Sequence, residues 1–277
     1  MTFDEFKQLA LHPPKKDEPT IFRIKAFYID NAEIEMRKDM MTFESVENDH
    51  NINMDLPYYP CYSVQCLVES YALSLADAEQ AIKRIIHESE EPVAELYCIY
   101  VDELPLGDNT HMNCVSRCLY DCEANLIEQS MCSDTYINEE HTPYRHFRGR
   151  NPETIRFKVG DIVEVFSGDQ VSLAVVVDVP PSIERCYQIA VKMCSKKGLY
   201  RHEDMPQQQW EDYCFNNGYV LDETDDCYTV LDAADYESHS HVSSLHVLKP
   251  RFPIPQDLQE LYKSFYEGLL KEEDNYE

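Results

Sequence analysis

IRFKVGDIVEVFSGDQVSLAVVVDVPPS, residues Ile155 to Ser182, holds two apolar, β-branched runs joined by the turn Ser167-Gly168-Asp169. That is the pattern of a β-hairpin, and the pair Gly160-Asp161 supplies the turn that opens its first strand. Downstream, Cys186–Cys194, Cys227–Leu231 and Val242–Leu248 read as further strands, enough with the hairpin to close a small barrel. Between them, Asp204, Pro206 and Asn217-Gly218 mark the two ends of an inserted helix with Trp210, Tyr213 and Cys214 on one face. Pro253 and Pro255 precede an amphipathic helix in which Leu258, Leu261, Tyr262, Phe265, Tyr266, Leu269 and Leu270 follow the i, i+3, i+4, i+7 rule. The unit spans 155–270, and an acidic tail, 271–277, follows it.

The order Phe157, Val159, Gly160, Asp161, Val163, Val165 resembles the opening strands of small SH3-like barrels, including KOW and Tudor-like modules. The resemblance covers residues 155–182 and implies a C-terminal SH3-like β-barrel carrying the inserted and closing helices. Some modules of that kind bind nucleic acid.

Upstream of a polar, turn-rich linker at 141–154 the pattern changes. TIFRIKAFYID at 20–30, CYSVQCLVESYA at 61–72 and AELYCIYVDEL at 94–104 read as strands. Residues 112–120 and 125–131 read as a hairpin around Asp121–Asn125. Ser74 and Asp77 form a capping pair for a helix ending near Glu88, with Leu75, Ala78, Ile82, Ile85 and Ile86 on one face. Several strands with one helix predict an α+β domain over 20–140, a mostly antiparallel sheet covered by that helix. A polar loop fills 31–57, and residues 1–19, with Phe3, Phe6 and Leu9 before Pro13-Pro14, form an N-terminal arm.

With 52 Asp and Glu against 24 Lys and Arg in 277 residues, the formal charge is -28. Charge alone therefore argues against general nucleic-acid or anionic-membrane binding. The N-terminus carries Asp4 and Glu5 where an export signal is basic, and the run Val171–Val177 is far shorter than a membrane span. Eleven cysteines without a C-x-x-C pair point away from a disulfide framework and toward a reducing cytoplasm.

The charge is segregated. Residues 39–140 carry 21 acids against Lys83, Arg84 and Arg117, and residues 201–237 carry 11 against Arg201. Within the second block, Asp222, Glu223, Asp225, Asp226, Asp232 and Asp235 are the candidate contacts for a basic protein partner, with carboxylates standing in for phosphates as in a nucleic-acid mimic. The leading expectation is therefore a non-catalytic recognition, inhibitor or immunity-type protein with no cofactor.

Two alternatives stand beside it. His239, His241 and His246 are candidate metal ligands for a metal-dependent hydrolase, given a turn at Ser243-Ser244 to gather them. Arg145, Arg148, Arg150, Arg156 and Lys158 form a basic island that suits a nucleic-acid-binding module or ion pairs across the domain interface. Cys114, Cys118 and Cys122 share strand parity and read as small buried apolar residues.

Overall fold

Residues 2–11, 19–30, 62–88, 94–106, 114–131, 155–188, 227–232 and 239–254, with positions 256, 259, 260 and 263, are described by the computed structural model. They form an α+β arrangement of two antiparallel sheets with few helices. The linker 141–154, the loop 31–57, the inserted helix 204–218 and the tail 271–277 lie outside the described residues. Of the closing helix, positions 256, 259, 260 and 263 are helical.

The first sheet runs β3 (Gln65–Ala72), β1 (Thr20–Asp30), β4 (Ala94–Pro105), β5 (Ser116–Tyr120) and β6 (Leu126–Met131). Period-2 alternation gives β1 two working faces. Ile24 and Ala26 point to helix α2 (Leu75–Glu88), whose Ala78 and Ile82 are buried against them with Ala72, Ile99 and Val101. Phe27 and Ile29 point the other way, into the second sheet.

The start of α2 is locally encoded. Ser74 Oγ accepts the Asp77 amide at 3.1 Å and donates to the Asp77 carboxylate at 2.7 Å. Ser74→Ala should therefore lower stability by about 1 kcal/mol, the usual loss for an N-cap hydroxyl, measured as a shift in the urea midpoint.

The second sheet runs β10 (His239–Ser243), β9 (Cys227–Asp232), β8 (Gln170–Asp178), β7 (Ile162–Ser167) and β11 (Val247–Leu248). Gly168, at φ 68, makes the tight β7–β8 turn, a conformation that favours glycine. Gly160, at φ 88, sits third in the turn Lys158–Asp161, where the Asp161 amide donates to the Lys158 carbonyl at 3.0 Å. The pattern Phe157, Val159 is thus a turn entering β7 rather than part of the strand, and Phe157 is buried against Tyr228.

Three expectations are corrected. The strand expected over Val242–Leu248 is broken by a 3-10 turn, Ser244–His246, so that β10 pairs with β9 while β11 crosses to pair with β7. No ladder joins β10 to β11, so among the described residues the second sheet is open and a closed SH3-like barrel is not formed. The strand expected from Cys186 begins instead as a helix, residues 183–188 (α3). Pro180-Pro181 end β8, Ser182 Oγ accepts the Arg185 amide at 3.2 Å and the Ser182 carbonyl accepts the Cys186 amide at 2.9 Å. A cap at the right place overrides β-branched composition. Helix α1 (Phe3–Leu11) lies against α3: the rings of Phe3 and Phe6 are each 5.4 Å from Tyr187, and Phe6 is buried.

One buried cluster lies between the two sheets. Tyr62 and Ser63 (β2) pair with Val171 and Gln170 of β8, the Val64 amide donates to the Asp169 carbonyl at 2.8 Å, and Gln65 then opens β3 in the first sheet. The chain passes from sheet to sheet through buried Val64 without a loop. Around it, Tyr97, Tyr100 and Leu119 of the first sheet pack with Phe166 of β7, Leu245 of the 3-10 turn and Phe252 beyond β11. Phe166 meets Phe27 edge-on at 5.0 Å and stacks on Tyr100 at 5.9 Å, contacts that add to plain area burial. Among the described residues, no helix is long and apolar enough to cross a membrane.

Candidate functional site

Strand alternation predicts that polar residues inside β4, β6 and β7 face solvent, yet Asp102, Glu103, Glu128 and Glu164 are all buried. Such carboxylates need partners in the fold. Asp102 sits in register with Arg23 of β1 and Arg117 of β5. It accepts Arg23 at 2.7 Å and Arg117 at 2.5 Å. Burial alone would raise the Asp102 carboxyl, but the hydrogen bonds and charges of Arg117 and Arg23 outweigh it and hold the group below its ordinary value. Glu103 accepts the Ser116 and Thr20 hydroxyls at 2.9 and 3.1 Å.

The remaining two carboxylates tie the sheets together. Glu164 of β7 accepts the Tyr97 hydroxyl at 3.0 Å and the Arg251 amide at 2.9 Å. Burial foremost, and then the Glu164 charge, push Tyr97 well above its ordinary value, which keeps that hydroxyl a donor. Glu128 of β6 faces Arg156 Nε at 3.4 Å, an ion pair that falls short of hydrogen-bond alignment. Arg156 Nη2 donates to the Ser244 carbonyl and, at 2.8 Å, to the Val247 carbonyl, gripping both ends of the 3-10 turn. Burial pulls the Arg156 guanidinium below its ordinary value against the opposing pull of Glu128, and an arginine remains charged at neutral pH regardless.

Beside these ties a cleft of about 490 Å³ opens between the sheets. Its walls are Tyr97, Cys122 and Ile127 on one side and Phe157, Leu248 and Pro250 on the other. The charged groups on its lining are Arg156, Lys249 and Arg251 against Asp121. Asp121 organises the β5–β6 turn: its Oδ1 accepts the amides of Glu123 and Asn125 at 2.9 and 2.8 Å, and its Oδ2 accepts Asn125 Nδ2 at 2.9 Å. Arg251 Nη2 pairs with Glu95, while Nη1 reaches only the Cys122 sulfur at 3.6 Å. The Cys122 thiol is raised, by burial first and then by Asp121, so it stays protonated at neutral pH. A second cleft, about 1020 Å³, shares Pro250 but balances Lys158 and Lys263 against Asp161 and Glu260. Of these two clefts, the one between the sheets carries more basic than acidic side chains on its lining.

The sequence-derived candidates divide between described and undescribed residues. Asp222, Glu223, Asp225, Asp226 and Asp235, with Arg145, Arg148 and Arg150, lie outside the described residues, as do the side chains of Asp232 and His239. His241 is exposed, 3.3 Å from the Thr229 hydroxyl. His246 points into the core, packing on Tyr100 and Phe166 with Nδ1 3.4 Å from the Tyr100 hydroxyl. The turn expected between these histidines exists, but it sends His246 inward while His241 stays at the surface. Among the described residues, no group of three His, Cys, Asp or Glu is placed to hold a metal ion. Arg156 spans the two sheets as described, and Lys158 is exposed.

Sequence reading missed Tyr97, Glu164, Lys249 and Arg251. One signal was present for Glu164: it shares parity with Phe166 in IVEVFS, so a solvent-facing Glu164 would have exposed that ring as well. Cys118 is buried beneath α2, and Cys114 donates to the Ser116 carbonyl at 2.8 Å.

Fold and site together define a two-sheet α+β protein with a basic-walled cleft at the seam. Comparison of the chain with family models, with curated proteins and with solved structures gives no match.

Proposed function

We propose that this chain is a non-catalytic recognition protein of the reducing cytoplasm that binds a basic protein partner through carboxylate-rich surface. The observation that carries the reading is where the charge lies. Against a formal charge of -28, the fully buried acids among the described residues are Asp102, Glu103, Glu128 and Glu164, with Arg23 buried beside them. The core therefore absorbs little of the excess, and most described acids stand toward solvent, where they build a field that steers a cationic partner. The described cysteines are free thiols, which suits a reducing compartment.

The same reading takes the second sheet as a partly open small barrel of SH3-like kind. Its support is that β11 returns to the unit's first strand, β7, and that Phe157, Val163, Val176, Tyr228, Val230 and Val247 enclose a core of their own. An unpaired gap bridged by three residues of 3-10 turn separates the edge strands.

The test is a quadruple variant, Asp222→Asn, Glu223→Gln, Asp225→Asn and Asp226→Asn. Tagged wild type and variant are used for capture from host lysate at low salt, and each basic protein retained is then purified and titrated against both. The reading expects titrated affinity to fall by about tenfold or more in the variant, with the urea midpoint unchanged. Equal affinity for both forms removes these four residues from the contact.

A further inference from the structure

The cleft between the sheets has a feature that an acidic recognition surface does not require: cations gathered around apolar walls in a chain short of cations. We propose that it binds a small organic monoanion, a carboxylic acid with an apolar body. The body would lie against Tyr97, Ile127, Phe157, Leu248 and Pro250, and the carboxylate would meet Lys249 and the free edge of Arg251.

The donor inventory selects this chemistry. Arg156 has its Nη2 on the Ser244 and Val247 carbonyls and its Nε facing Glu128, so its charge is already countered. Arg251 has one nitrogen on Glu95 and offers Nη1, whose present contact is a thiol sulfur at 3.6 Å, a weak acceptor that a carboxylate displaces at little loss. Lys249 is exposed and makes no ion pair or hydrogen bond among the described residues. Two open donors, one ammonium and one guanidinium edge, match one carboxylate.

Charge sets the upper limit. Asp121 lies on the lining, and Glu95, Glu128 and Glu164 each contact a lining residue, Arg251, Arg156 and Tyr97 in turn. A phosphate dianion or polyanion brought beside those four acids is repelled more strongly than a single charge, which direct contact with Lys249 and Arg251 offsets. The more distant surface acids are screened beyond roughly 8 Å at physiological salt. The cleft, at about 490 Å³, falls within the range of small-ligand sites.

The probe is 4-phenylbutyrate, followed by methyl NMR at Ile127 and Leu248 and by titration calorimetry on the full chain. Its neutral analogue 4-phenyl-1-butanol and inorganic phosphate serve as comparisons. The acid is expected to shift both methyl sets and to bind in the low-millimolar range or tighter, about what twelve heavy atoms deliver. The alcohol and Lys249→Ala should each weaken binding about tenfold, Lys249→Arg should restore it, and the urea midpoint of both variants should match wild type. The proposal is overturned if neither methyl set moves, if the alcohol binds as tightly as the acid, or if Lys249→Ala leaves affinity unchanged. Phosphate competing on equal terms would also overturn it, because the apolar walls would then contribute nothing.

Discussion

Asp102→Asn is expected to lower stability by about 3–5 kcal/mol, the usual result of removing one partner from a buried ion pair. The Arg23 side chain is only 4% exposed, so the variant takes a full negative charge away from a cation that water barely reaches. Arg117 is 32% exposed and regains water, so its share of the loss is small. Urea unfolding at neutral pH measures the effect; an unchanged midpoint would mean that the Asp102 charge contributes nothing to stability.

The same pair makes stability depend on pH. Because the Asp102 carboxyl is held below its ordinary value in the folded chain, its contribution is complete above the unfolded value near pH 4 and disappears as pH falls through the folded value. Wild type and Asp102→Asn should therefore differ most at neutral pH and converge in strong acid. A gap that stays constant with pH would show that the loss comes from packing rather than from charge.

Arg156→Ala carries the other large effect, again about 3–5 kcal/mol. One side chain holds the Ser244 and Val247 carbonyls of the second sheet, faces Glu128 of the first and lies over the Phe157 ring at 5.1 Å. Its removal takes the guanidinium away from Glu128, a carboxylate at 4% exposure. Arg156→Lys should recover little, since an ammonium cannot span three acceptors set around a planar fork. Adding Glu128→Gln to Arg156→Ala should restore part of the loss, because the buried negative charge that faced the guanidinium is then gone. Amide exchange should accelerate first in the 3-10 turn and β11; uniform acceleration across both sheets would mean that Arg156 supports the whole core rather than that turn.

The elements that could be read from the sequence are those whose signal is local. Ser74 with Asp77 set the start of α2, the Asp121–Asn125 turn set the β5–β6 hairpin, and Ser167-Gly168-Asp169 set the β7–β8 hairpin. In each, the residues that carry the signal also make the hydrogen bonds or take the backbone angle, so a short window contains the whole cause. Where two local signals compete, composition misleads: CYQIAV reads as strand, but Ser182 caps a helix across its first residues.

The site was far less legible. Glu164 and Tyr97 are 67 residues apart, Arg156 and Ser244 88, and Arg251 and Cys122 129. No window spans such separations, and residue type does not reveal which acids lie inside. Tertiary structure decides this because a carboxylate may be buried only where another strand brings a donor to it.

By itself, the sequence determined an α+β chain with a strongly acidic exterior, the place of most strands and the turns between them, since each follows from neighbours a few residues apart. Only the tertiary structure decided that Tyr62–Gln65 joins both sheets, that Arg156 locks the 3-10 turn, that His246 turns inward while His241 stays outside, and that Arg156, Lys249 and Arg251 line one cleft. Each of those depends on packing two sheets over one core, where burial makes every charge find a partner from a distant part of the chain.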